Sequence, residues 1–259
     1  MAEPPVTAHA LCAACPYAAT LLATGACDPH DVCIRADSGR RIDRFLRAHP
    51  DLAGDYLGDA CWERRAIAAR YAPLAAIRLL AGDADEVVRR VVASRLSPVE
   101  AAGMIRDPDR EVRIAVAQRV DHDGLLKMAG DADYMVRVVV ARRLGHGKLP
   151  RLSRDPEREV RKTVAARLPA FALARLLADP EPEVRRIVAD RVLPQDAVLL
   201  LEDEDWLVRL AAVQRAPLQA IRGCLADREA EVRRAAWERL AAGNGAKQSA
   251  TENADEPMG

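Results

Sequence analysis

A strict, unbroken sequence period limits what this chain can fold into more than any other feature. Asp83, Asp107, Asp131, Asp155, Asp179, Asp203 and Asp227 follow one another at a single spacing without an insertion. Five residues after each stands a valine (Val88, Val112, Val136, Val160, Val184, Val208, Val232), and each valine is followed by an arginine, from Arg89 to Arg233. One such unit is too short to bury its own apolar face, so copies must stack into a solenoid or array. Composition agrees: 50% of residues are hydrophobic, yet only two are Phe. Ala, Val and Leu supply the rest, and small side chains let helices approach closely.

Within a unit the residues predict an α-helix that starts at the column aspartate as N-cap and runs about 13 residues. Pro108, Pro156 and Pro180 then fall at the first helical position, where a missing N–H costs nothing. The next column is acidic (Asp85, Asp109, Asp133, Glu157, Glu181, Asp205, Glu229) and stands four residues before the arginines, the spacing of an i, i+4 ion pair. Val88, Val91, Val92 and Leu96, with their equivalents, form one apolar stripe. Eleven residues remain for the return, and they contain Gly145, Gly147, Pro150, Pro169, Pro194 and Pro217. Thirteen α-helical residues rise about 20 Å, so the return must gain length faster, as a 3-10 turn does at about 2.0 Å per residue. The tenth column is Ala93, Ala117, Ala141, Ala165 and Ala189, then Val213 and finally Trp237, a ring that fits best where stacking stops.

Lys plus Arg equals Asp plus Glu at 39 each, so no global field attracts nucleic acid or an anionic membrane. No apolar run approaches the length of a membrane span, roughly 20 residues. The start, Met1-Ala-Glu-Pro-Pro-Val, lacks the basic residues of a signal peptide. A cytoplasmic protein is expected. In a reducing compartment six cysteines are not a disulfide framework. Cys12, Cys15, Cys27 and Cys33 crowd the first segment, while Cys61 and Cys224 are scattered.

Cys12-x2-Cys15-Pro16, then Cys27 and Cys33 about a turn at Asp28-Pro-His-Asp31, is the one constellation that points to chemistry. Four thiolates can hold zinc in a tetrahedral structural site or a cubane iron-sulfur cluster. The residues leave both open. A Cys-Pro pair, Ala-rich apolar surroundings and one Cys-x2-Cys rather than two knuckles favour the cluster. The arginines after each valine, with a second row at Arg95, Arg119, Arg143, Arg167, Arg191, Arg215 and Arg239, read first as structural, pairing with the acids and serving helix-end carbonyls. The alternative is a basic strip that grips an acidic partner. His9, His122 and His146 read as solvated, and no P-loop, HExxH, GxSxG or GxGxxG in proper context supports catalysis by side chains.

Four early cysteines ahead of 24-residue units reading Asp-x4-Val-Arg-x2-Val-Ala-x-Arg-Leu resemble the bacterial iron-sulfur-containing leucine-rich repeat variant proteins, over Cys12 to Leu240. Unlike ordinary leucine-rich repeats, these units carry neither a Leu-x-Leu strand nor an Asn ladder. The resemblance implies an all-α fold: a right-handed superhelical solenoid of alternating α and 3-10 helices behind a small domain in which Cys12, Cys15, Cys27 and Cys33 hold a [4Fe-4S] cluster. It implies no established activity. Residues 1–58, including a capping helix over 39–48, are expected to form the cluster domain. Residues 59–242 form about eight repeats, the first degenerate with Arg64 in the valine column, and 243–259 a disordered tail. Two functions follow as expectations: a redox-linked protein that docks a protein partner for electron transfer or redox sensing, or a purely structural interaction scaffold whose metal only staples the cap. Nucleic-acid and membrane partners are not expected.

Overall fold

A computed structural model of the chain describes residues 8–252, with side chains from 10 to 243. The described residues hold helices and no strand; the one β-type pairing is the isolated bridge between Asp28 and Val32. The chain divides into two compact units, one ending at Met128 and one beginning at Ala129. The first contains the cysteine segment and the start of the array.

In the first unit the short helix Ala8–Ala13 gives way at Pro16 to one π-helical turn, Ala18–Leu22. Gly25 follows with a φ of 73°, a left-handed conformation that glycine adopts without a Cβ penalty. The helix Gly39–Ala48 occupies the expected span and buries Ile42, Phe45 and Leu46, although the side chain of Ser38 makes no capping bond. A 3-10 helix, Pro50–Tyr56, leads into the repeats, where the helices Trp62–Tyr71, Glu86–Arg95 and Arg110–Ala117 stack in sequence. The second unit repeats the scheme with Tyr134–Arg143, Arg158–Arg167, Pro182–Arg191, Trp206–Arg215 and Ala230–Glu252.

The returns are 3-10 helices as predicted, at Leu149–Leu152, Ala170–Leu176 and Ile221–Ala226. Others open with one α turn, as at Pro98–Ala101, where Ser97 and Glu100 form a capping box. One return departs further and is a seven-residue α-helix, His122–Met128. It contains no proline, Asp121 Oδ1 accepts from the N–H of Gly124 at 2.9 Å, and a Cβ on Gly124 would lie 2.6 Å from Val120 Cβ.

Helix starts fall two residues later than the sequence reading places them. The column aspartate forms a turn, Asp83 Oδ1 accepting from Asp85 N at 2.9 Å, and the second acid is the N-cap, Asp85 Oδ1 accepting from Val87 N at 2.9 Å. Five of the helices are accordingly ten residues rather than about 13, and Arg110–Ala117 is eight. Their arginine does not pair within its own helix either. The guanidiniums of Arg65, Arg89, Arg137, Arg161, Arg185 and Arg209 each grip, through Nε and Nη2, the column aspartate of the following unit, at 2.7 to 3.1 Å. Nη1 of the same arginines donates to two carbonyls at the start of their own unit, at 2.7 to 3.2 Å. The aspartate is thus unavailable as a helix cap because the preceding unit uses it.

The second arginine row does serve carbonyls, but those of the preceding helix. Arg95 donates to Ala69 O and Ala72 O, both at 2.6 Å, Arg167 to Ala141 O and Leu144 O, and Arg191 and Arg239 repeat the pattern. Between these two polar rows lies the apolar stripe. Val88, Val92, Val136, Val140, Val160, Val164, Val184, Val188 and Val208 are fully buried, as is the alanine column from Ala93 to Ala189.

Both ends of the array deviate where they meet something other than a repeat. In the degenerate first unit, Arg64 in the valine column donates from Nε to Ile34 O at 3.1 Å, and from Nη1 to Asp59. Tyr71, in the second arginine column, donates to Asp43 Oδ1 of the helix Gly39–Ala48 at 2.9 Å. At the other end the helix begun at Ala230 continues to Glu252, so the tail expected to lack structure from Gly243 is helical as far as that residue. Residues 241–252 contain no proline and are rich in alanine, and Gly243 packs where a Cβ would sit 2.3 Å from Leu218 Cδ1. The rest of the expected disordered tail, 253–259, lies outside the described residues.

Two outcomes are expected. Val136→Asp places a carboxylate at a fully buried position and should cost several kcal/mol, with loss of structure extending to neighbouring helices; unchanged thermal unfolding would contradict the stripe. The second concerns acid. Hydrogen bonds from Arg65 and Arg209 hold the Asp83 and Asp227 carboxyls below the usual value of 3.8, and at Asp203 the bonds from Arg185 and Asp205 N–H outweigh an upward push from burial. Groups with a depressed native pKa stabilise above their unfolded value, because the native state then binds fewer protons than the unfolded one. Stability in urea should therefore be level from pH 7 to about 5 and fall as the pH drops below about 4; a loss complete above pH 5 would assign it to other groups.

Candidate metal centre

Local chain geometry folds the cysteine segment back on itself. Cys12 ends in the helix Ala8–Ala13, and Cys15 follows in a turn closed by Cys15 N–H donating to Cys12 O at 3.1 Å. After Gly25 the chain reverses, with Ala26 and Cys27 N–H both donating to Leu21 O, at 2.7 and 3.2 Å. The Asp28 to Val32 turn is closed by reciprocal backbone bonds of 3.0 and 2.8 Å, and Asp28 Oδ1 accepts from His30 N–H. Asp31 pairs with Arg44, and Cys33 N–H donates to Arg41 O, so the helix Gly39–Ala48 holds both ends of this turn.

All four clustered cysteines line one cavity. The remaining lining is apolar: Leu11, Ala18, Leu22, Pro29, Ile34 and Phe45. Cys33 is buried, while Cys12, Cys15 and Cys27 are partly exposed. Burial pushes the Cys27 and Cys33 thiols up, and the charges of Cys12 and Cys15 raise both further. The backbone N–H groups of Arg35 and Ala36 pull Cys33 the other way. A bound cation would reverse the whole balance, since a coordinating thiol is deprotonated outright. The donor set fits an iron-sulfur group: four soft thiol ligands in an apolar pocket, with N–H donors on one sulfur. Among the described residues no three Cys, His, Asp or Glu side chains are already placed to hold a single metal ion.

A shell of rings backs the cavity. Phe45 lies 5.5 Å from the Tyr17 ring and 5.0 Å from His49, centroid to centroid, and His49 Nε2 is 3.0 Å from Ala26 O. Burial, and then a hydrogen bond with Tyr17, drives the Tyr56 hydroxyl up; the charge of Cys15 also contributes. The meeting of residues 17, 45, 49 and 56 was not legible in the sequence, because the contacts join elements whose sequence spacing carries no period.

The remaining candidates fall elsewhere. Cys61 is the N-cap residue of Trp62–Tyr71 and Cys224 is buried in the return Ile221–Ala226, and neither lines the cavity. His122 and His146 are exposed, and the side chain of His9 lies outside the described residues.

Known proteins match both parts of the chain. Residues 8–55 match the family described as LRV protein FeS4 cluster, and residues 158–181 the family described as leucine rich repeat variant. The uncharacterized 27.7 kDa protein in the nifB 3′ region of Rhodobacter capsulatus is 40% identical over 90 residues, which is 35% of this chain and 36% of that one. The match thus spans about a third of that relative's length. A solved structure described as a leucine-rich repeat variant with a novel repetitive protein structural motif is 51% identical, with a TM-score of 0.85, and covers 88% of this chain and 98% of its own. With that identity over nearly the full length of a leucine-rich repeat variant, and the FeS4 cluster match over the cysteine cavity, the chain belongs to the iron-sulfur leucine-rich repeat variant proteins.

Proposed function

We propose that Cys12, Cys15, Cys27 and Cys33 hold a [4Fe-4S] cluster in residues 1–58, and that the repeats of 59–242 dock a protein partner in the cytoplasm for electron transfer or redox sensing. The observation that carries this reading is the single apolar cavity lined by all four cysteines. A bound cluster would supply one-electron chemistry at a potential set by its surroundings. This chain's residues set those surroundings. Leu11, Leu22, Ile34 and Phe45 give the sulfurs an apolar wall, and Arg35 and Ala36 N–H groups favour the charged form of Cys33. Three partly exposed cysteines leave one side of the cavity near the surface, where a partner can approach.

A second reading has its own support: the metal staples the cap and does no redox work. Cys33 is bonded to Arg41, and the adjacent Ile34 carbonyl is held by Arg64 of the first repeat, so ordering the cysteines also orders the start of the array. Reversible reduction at a biological potential separates the two.

Protein purified without oxygen should be brown and contain iron and acid-labile sulfide in equal amounts, as a cubane requires. Serine at any of the four cavity cysteines should lower iron content and bleach the colour, whereas Cys224→Ser should change neither. Removing the cluster should first loosen residues before Asp59, which the ligands organise. A colourless, sulfide-free protein carrying tightly bound zinc would exclude the redox reading.

A further inference from the structure

The arginine clamp of the second unit ends on Arg233, whose Nε and Nη2 fork has no partner among the described residues. Arg137, Arg161, Arg185 and Arg209 each fill Nε and Nη2 with an aspartate of the following unit, and the last two are only 6% and 3% exposed. Arg233 is held by the same anchor. Its Nη1 donates to Asp227 O at 2.6 Å and to Arg228 O at 3.0 Å, the two carbonyls that orient every other arginine of the row. The position equivalent to the aspartate of a following unit is Thr251, and the chain there is still in the helix Ala230–Glu252 rather than at the start of a new unit. The Arg233 fork is therefore preoriented and exposed, with no acceptor for Nε or Nη2 among the described residues.

One turn further along the same helix face stands Trp237, 65% exposed. It occupies the column in which the earlier units bury alanine or Val213 beneath the next helix. Arginine and tryptophan are both among the residue types enriched at the energetic centres of protein interfaces. The chemistry of the occupant is written in the units before it: an aspartate closing an Asx turn, two residues ahead of a helix N-cap, delivered bidentately. A second copy of this chain offers no such free residue among Asp83, Asp107, Asp155, Asp179, Asp203 and Asp227, because each already accepts an arginine.

We infer that the C-terminal end face, centred on Arg233 and Trp237, is a docking site for a different protein that presents an aspartate-headed helix edge and caps the array as a further repeat would. The site stands independently of the cluster.

The test uses the full chain and, as probe, a labelled peptide of residues 155–178, one repeat headed by Asp155. Binding should weaken at least tenfold for Arg233→Gln, for Trp237→Ala, and for the peptide carrying Asp155→Asn. Equal affinity across these variants, or no binding to the unaltered chain at millimolar peptide, would overturn the proposal. Thermal unfolding supplies the second readout. Arg209→Gln should lower the midpoint and Arg233→Gln should leave it unchanged; an equal fall for both would mean that the fork is already filled within the chain.

Discussion

The bidentate Arg–Asp clamp between successive repeats is the interaction on which the rest of the fold depends. Valine, alanine and leucine side chains drive the stacking, but a stripe of small apolar groups specifies distance better than register. Each guanidinium adds direction, because Nε and Nη2 are committed to a carboxylate on the next unit and Nη1 to carbonyls at the start of its own. Lysine could not replace it, since an ammonium offers no planar fork. A buried ion pair is not by itself strong evidence of stability, because desolvation offsets much of the attraction. What the clamp supplies here is the same two-point contact from one unit to the next, made again at each of the described steps. It also explains why the period tolerates no insertion, as one extra residue between Arg161 and Asp179 would move the carboxylate out of reach.

The same rule accounts for the ends. Where the first unit meets the cysteine segment, the valine column turns to Arg64 and the second arginine column to Tyr71, and both reach polar groups of residues 34 to 43 rather than a repeat. The cysteine cavity is thereby joined to the array through Ile34, which lines the cavity and accepts from Arg64, and through the helix Gly39–Ala48. At the far end the column alanine becomes the exposed Trp237, and the Arg233 fork has no carboxylate partner among the described residues.

Much of this was legible before any coordinates. Periodicity exposed the valine stripe, the close alanine column and most of the 3-10 returns, since each depends only on which residues recur. The cluster family could be read from the four thiols crowded between Cys12 and Cys33. The clamp's partner could not. An acidic column four residues before a column of arginines is the natural first choice for pairing inside one helix, and sequence alone does not point past it to the aspartate of the next unit. Reading the column aspartate as the N-cap also misplaced the helix starts by two residues, because an aspartate engaged by a neighbour is not free to cap. The ring shell of Tyr17, Phe45, His49 and Tyr56 was hidden for a different reason: the segment that assembles it does not repeat.

A double-mutant cycle on one buried step tests the dependence on the clamp most directly. Arg161→Gln, Asp179→Asn and the pair together, each unfolded in urea, give the coupling energy between the two side chains. The clamp predicts a coupling of about 1 to 3 kcal/mol, with the double variant less destabilised than the sum of the single ones. Additivity to within about 0.5 kcal/mol would show that the two residues act independently and that the register of the repeats is set by apolar packing alone.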